Sequence, residues 1–179
     1  MGLSAFFALT PANIPGWLGL ALLALSFQCR ERVRVGLLLS AATVLLCVHY
    51  AGKEAWAAVM VTATMVPAHA CGAFAGRFPV LRHAKLVILP LLWALTGSQI
   101  AGPLDTLPPL AVTIEILCLT QSRLWLMRSG FLMSQPLWVA YNVAVASGPG
   151  LIANALVFGS TAIGLWRHHL RPYLLRHTL

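Results

Sequence analysis

Six side chains in this sequence have a type and spacing that could do chemistry: Glu115, His69, Gln135, Trp138, Asn142 and Asn154. Glu115 stands apart from the rest. Within four positions on either side it has only apolar side chains or Thr, in the run "LAVTIEILCLTQSR" from Leu110 to Arg123. A carboxyl in such a run can couple protons, bond a solute in a central cavity, or tie down a neighbouring helix. Gln135, Trp138 and Asn142 fall at i, i+3 and i+7, on one face of a helix, and Asn154 aligns in the same way with Thr161. Buried amides often join helices. An indole between two amides also suits a pocket that holds a neutral polar ligand by stacking and hydrogen bonding.

His69 shares a face with Thr62 and Val66, so it either lines a polar seam or bonds to a helix backbone. Paired with His49 it raises the thought of a bis-histidine haem. Depth argues against that: His49 lies four residues inside the turn near Lys53, and His69 sixteen residues beyond it. The difference is ~18 Å along the helix axes, too far for two ligands of one iron. There is no GxSxG, HExxH, P-loop or pair of intramembrane aspartates, so enzymatic activity is not expected. Cys29, Cys47, Cys71 and Cys118 show no CxxC spacing and read as small buried hydrophobes. No metal and no cofactor is expected.

The elements that must hold these groups follow from composition. The chain is 59% hydrophobic and 9% charged, whereas a soluble domain carries about 25% charged residues. Its solvent is therefore a bilayer, and period-2 alternation, the mark of a membrane barrel, is absent. Apolar runs between charge and Gly/Pro breaks give seven helical spans, at 14–29, 35–51, 55–76, 84–100, 107–122, 129–147 and 150–167. The first basic residue is Arg30, so the basic start of a cleavable signal peptide is missing.

Seven spans with the N-terminus outside put eleven of the twelve Lys and Arg residues on the cytoplasmic side and only Lys53 outside. This positive-inside bias predicts an outer N-terminus and a cytoplasmic C-terminus. The same spread argues against nucleic acid as a partner, because the charges sit at separate loop ends rather than in one patch. The bilayer itself is the expected partner. Glu115 then lies ~12 Å from the inner end of its helix, near mid-membrane. A charge there costs roughly 2.5–3.5 kcal/mol. Without water a carboxyl keeps its proton, so a neutral Glu115 facing the protein interior is expected.

"QCR" at Gln28–Arg30 recurs as "QSR" at Gln121–Arg123, which also places His49 over Asn142. Arg77 and Arg167 close the last helix of each half. This predicts an all-α fold of two parallel three-helix repeats, 14–77 and 104–167, joined by a linker helix at 84–100 and followed by a basic tail at 168–179. "GAFAG" at Gly72–Gly76 predicts a close helix approach, and Pro67, Pro90 and Pro136 could kink their helices.

"LALLALSFQCRERVRVGLLLSAATVLLCVHYAG", "LPPLAVTIEILCLTQSRLWLMR" and "LWVAYNVAVASGPGLIANALVFGSTAIGLWR" resemble the YgjV family of bacterial inner membrane proteins, over residues 15–168. The resemblance implies a bacterial cytoplasmic membrane. That family often carries Asn and a basic residue in the third helix, where this chain has "MVTATMV" from Met60 to Val66. The three-one-three layout is similar to SWEET and PnuC facilitators, a fold-level analogy. The expectation is a facilitator for a small polar solute, with a non-transporting membrane scaffold as the alternative.

Overall fold

The computed structural model describes residues 9–26, 29, 31–75, 77–119 and 124–166. These form seven α-helices: α1 (Ile14–Ser26), α2 (Arg32–Ala51), α3 (Trp56–Phe74), α4 (Lys85–Gly97), α5 (Leu107–Leu119), α6 (Leu124–Ala144) and α7 (Gly148–Leu165). Short 3-10 turns at Pro79–His83 and Pro103–Thr106 precede α4 and α5. Helices are what an apolar solvent demands, since every backbone N–H and C=O must be paired within the segment. Three segments are long and apolar enough to cross a membrane: Val33–Ala51, Trp56–Phe74 and Pro79–Gly97. Ile14–Ser26 and Gly148–Ile163 are shorter apolar helices.

Local chemistry sets the helix starts. Ser147 caps α7 by accepting the Gly150 N–H at 3.1 Å, with Pro149 in the first turn where its missing N–H costs nothing. The carboxylate of Asp105 accepts the N–H groups of Ala101 and Gly102, both at 3.1 Å, and so fixes the turn into α5. Glu31 pairs with Arg34 at 2.7 Å across the first turn of α2. The sequence expectation started the sixth helix at 129, treating Arg128 as a break; α6 instead begins at Leu124. Arg is a good helix former, so its charge does not end the helix.

Packing follows a closed order. α2 lies between α1 and α3, and α6 between α5 and α7; α3 meets α5, and α1 meets α7. The six helices thus form a ring of two triplets, with α4 packed outside on α3 and α5. Short turns at 52–55 and 145–147 lie at one end of the ring, here the Lys53 end; the opposite end carries Arg34. Val61 and Met65 of α3, Ile88 and Leu92 of α4, and Val112 and Ile116 of α5 make one core cluster. Tyr50, Ala55, Ala58 and Tyr141 make a second, and Trp138 packs against both.

Burial differs between the two ends. In α3, Ala57, Ala58, Val61, Thr62, Thr64 and Met65 are buried, none of residues 66–72 is, and Ala73 in the last turn is buried again. In α7, Gly148, Pro149, Gly150 and Asn154 are buried, and no residue described beyond Asn154 is. α7 is thus covered at the Lys53 end and uncovered toward the other, while α3 is covered at both ends and only partly covered between them.

The close helix approach expected at "GAFAG" falls on Ala73 rather than on Gly72. Among the described residues a Cβ on Gly72 would meet nothing within 4 Å, and Gly76 lies outside the described residues. Close approach occurs at Gly36, against Ala73, and at Gly130, against Cys118, where a Cβ would overlap the neighbour. The motif marks the right stretch of α3, with the contact on Ala73, because spacing along one helix does not say which of its small residues meets the partner. Gln28, Arg30, Gln121, Arg123, Arg167 and the tail at 168–179 also lie outside the described residues.

Candidate functional site

Five of the six expected side chains meet in one hydrogen-bonded assembly. Glu115, buried on α5, accepts the Ser134 hydroxyl at 2.6 Å and the Trp138 indole N–H at 3.2 Å, both from α6. Both bonds fall on Oε1 and neither on Oε2. A neutral acid has one acceptor oxygen and one hydroxyl, so this pattern suits a proton on Oε2. The carboxyl group faces the protein interior, held by a neighbouring helix.

The assembly continues along α6 and crosses to α7 and α2. Gln135 donates to Ser134 Oγ at 3.2 Å and to the Phe131 carbonyl at 3.0 Å. Asn154 of α7 donates to Gln135 Oε1 at 2.7 Å, and Asn142 donates to Asn154 Oδ1 at 2.7 Å. The Tyr50 hydroxyl of α2 donates to Asn142 Oδ1 at 2.8 Å. From Tyr50 through Asn142, Asn154, Gln135 and Ser134 to Glu115, every donor points the same way. Aligned bonds polarise one another, and the chain ends on the one carboxyl oxygen that accepts twice. Trp138 supports it from the side, its ring 6.4 Å from that of Tyr50 and within 17° of parallel.

Nearer the Lys53 end, His49 joins the triplets a second time. Its Nδ1 lies 2.7 Å from the Ala12 carbonyl and its Nε2 2.8 Å from Ser147 Oγ. A carbonyl only accepts, so Nδ1 carries the hydrogen, and a neutral ring accepts the Ser147 hydroxyl at Nε2. The same Ser147 oxygen caps α7. Lys53 makes a third link, donating to the Ala146 carbonyl at 3.0 Å. Burial holds its ammonium below the usual lysine value.

His69 stands apart from this assembly. Its Nδ1 is 3.2 Å from Thr43 Oγ1 on α2, a contact within the first triplet. It therefore bonds to a side chain, where the sequence suggested a polar seam with Thr62 or a backbone partner. Thr62 instead bonds back to the Ala58 carbonyl of its own helix at 2.7 Å. The stripe of Gln135, Trp138 and Asn142 is one face, as its spacing requires, but its polar atoms bond Ser134, Asn154, Glu115 and Tyr50 around it. The groove beside it, about 380 Å³ between α6 and α7, is walled by apolar side chains such as Val139, Leu151 and Phe158.

Sequence reasoning missed Tyr50, Ser134 and Ser147 as members of the site. Ser134 had a signal: it sits at i−4 from Trp138, on the same stripe. Tyr50 had none beyond its place next to His49, because its partner lies 92 positions away.

A profile of the family Imp-YgjV, described as bacterial inner membrane protein, matches residues 11–171. The chain belongs to this family. The YgjV match spans all seven helices, so the hydrogen-bonded assembly lies wholly within the family's part of the chain. Comparison with curated proteins and with solved structures gives no match.

Proposed function

We propose that this YgjV-family member is a seven-span facilitator for a small polar solute, with its N-terminus outside and its C-terminus in the cytoplasm. Its two triplets, 14–77 and 104–167, act as parallel repeats, and the solute passes between them. No chemical transformation forms part of this reading. The observation that carries it is the uneven seam between the triplets. At the Lys53 end, taken as the outer side, Tyr50–Asn142, His49–Ser147 and Lys53–Ala146 tie the first triplet to the second. Toward the cytoplasmic side α7 loses its cover beyond Asn154, and α3 is only partly covered over residues 66–72 before α2 closes on it again at Ala73. That is the form of a path closed outside and loosened inside.

The equivalence of the triplets has its own support. α1 meets α7 as α5 meets α3, which is what a two-fold axis along the membrane normal requires. Glu54 and Ala146, the two non-glycine residues described with positive φ (57° and 51°), each stand two residues before the third helix of a triplet. One observation favours the scaffold alternative: the polar groups are satisfied by one another, as interhelical glue would be. Counterflow in proteoliposomes separates the two. A panel of amino acids, sugars and vitamins should contain a solute that equilibrates faster than in protein-free liposomes. If none does, the chain is a scaffold.

A further inference from the structure

The Lys53 end carries a cleft of about 430 Å³, walled by the turn into α3, the connection from α4 to α5, and the last turns of α6. That volume is within the range of small-molecule sites, roughly 300–1,000 Å³. Its lining is unlike the rest of the molecule. The sequence holds four carboxylates in all. Glu115 is buried between helices and Glu31 pairs with Arg34. The remaining two, Glu54 and Asp105, both line this cleft, and so does Lys53. A chain with so few charges has gathered three of them in one concavity, of both signs.

These opposite charges do not neutralise each other: among the described residues the ion pair within 4 Å is Arg34–Glu31. Lys53 spends one of its three protons on the Ala146 carbonyl. Asp105 takes its two backbone N–H groups on Oδ2 alone, leaving Oδ1 for a further partner. Trp56, half exposed, and Tyr141, buried, add aromatic surface to the wall. Tyr141 also meets Tyr50, the first donor of the interior chain, ring edge to face at 6.5 Å.

We propose that this cleft binds a small zwitterion, its acidic group on Lys53 and its ammonium on Asp105 and Glu54. Separated charges of opposite sign in one cavity match a ligand that carries the reverse pair, and a ligand with only one of them leaves a charge of the cleft unanswered. Two sources present that chemistry at a membrane surface: a free α-amino acid and the headgroup of an ethanolamine phospholipid. The inference concerns binding and stands whether or not the chain transports.

The full chain, purified in dodecyl maltoside without added lipid, would be titrated with the standard amino acids and, separately, with O-phosphoethanolamine. Single-charge partners, propionate and ethylamine, would be titrated alongside. Saturable binding is expected for at least one zwitterion. It should weaken about tenfold or more in Lys53→Gln and in Asp105→Asn, each of which keeps the local hydrogen bond while removing the charge. An amino acid that binds assigns a free solute; O-phosphoethanolamine binding alone assigns a lipid headgroup. The proposal is overturned if no zwitterion saturates, if a single-charge partner binds as well, or if both variants bind as the parent does. Binding without counterflow would keep this site and remove the facilitator reading.

Discussion

Glu115 allows a substitution pair with opposite outcomes. Its two hydrogen bonds fall on Oε1, from Ser134 and Trp138. In Glu115→Gln the amide oxygen takes the place of Oε1 and the amide nitrogen that of Oε2, which accepts neither bond. Stability should change by less than about 0.5 kcal/mol. In Glu115→Leu both donors lose their acceptor, but unequally. Ser134 keeps the Phe131 carbonyl at 3.0 Å as a second acceptor, so it is not stranded. The Trp138 N–H has no such second bond.

Interhelical hydrogen bonds in membranes average about 0.6 kcal/mol, and a stranded buried donor costs about 1–3 kcal/mol. The expected loss for Leu is about 1–2 kcal/mol, because its apolar side chain also recovers some of the cost of burying an acid. Trp138→Phe keeps the ring against Tyr50 and removes the N–H, so Leu in that background should cost about 0.6 kcal/mol less than it does alone. The assay is reversible unfolding in mixed micelles titrated with dodecyl sulfate. A Gln variant as damaged as Leu would refute the assignment of both bonds to Oε1. So would a Leu variant of parental stability.

Reporter fusions after Arg34, Lys85, Arg128 and the C-terminus should score as cytoplasmic, and fusions after Lys53 and Asp105 as external; an external C-terminus would overturn the topology. Gly36→Ala should cost about 1–3 kcal/mol through overlap with Ala73, whereas Gly72→Ala, whose added methyl meets nothing within 4 Å, should be neutral or slightly stabilising, read by thermal denaturation. Burial holds the Lys53 ammonium below the usual lysine value of 10.5, so the unfolded chain binds more protons just below that pH. Stability should therefore rise as pH climbs toward 10.5, and Lys53→Gln should flatten the rise, measured as midpoint against pH. Ala146→Gly should stabilise by about 0.5–1 kcal/mol by relieving the φ of 51°; a loss in the same unfolding assay would show that the turn is unstrained.

The seven helices were legible because apolar length and charge breaks act locally along the chain. The stripe of Gln135, Trp138 and Asn142 was legible for the same reason: its i, i+3, i+7 spacing fixes a face without reference to any other helix. What the spacing could not supply was the face opposite. Asn154 bonds Gln135 and Asn142 at once, Tyr50 reaches Asn142, and Ser134 reaches Glu115; these pairings depend on how helices meet. His69 shows the cost of reading one helix alone, since its partner Thr43 belongs to a neighbour. Gly72 shows it again, since a small residue permits close approach without requiring it.

The turns complete the argument about the triplets. A non-glycine residue in the left-handed region costs of order 1–3 kcal/mol and persists only where its surroundings hold it there. This chain keeps two, Glu54 and Ala146, at matching places before α3 and α7. Lys53, next to the first, bonds the carbonyl of the second. The same two turns deliver Tyr50 and His49 from one triplet and Ser147 and Asn142 from the other to a shared layer. Strain in these two turns, joined by a bond between them, is the cost of bringing the triplets together at that end. The interior chain of hydrogen bonds begins in that layer, at Tyr50, and runs with a single direction to Glu115. A buried acid is tolerable here because its acceptor oxygen is the end point of bonds that start where the triplets are held together.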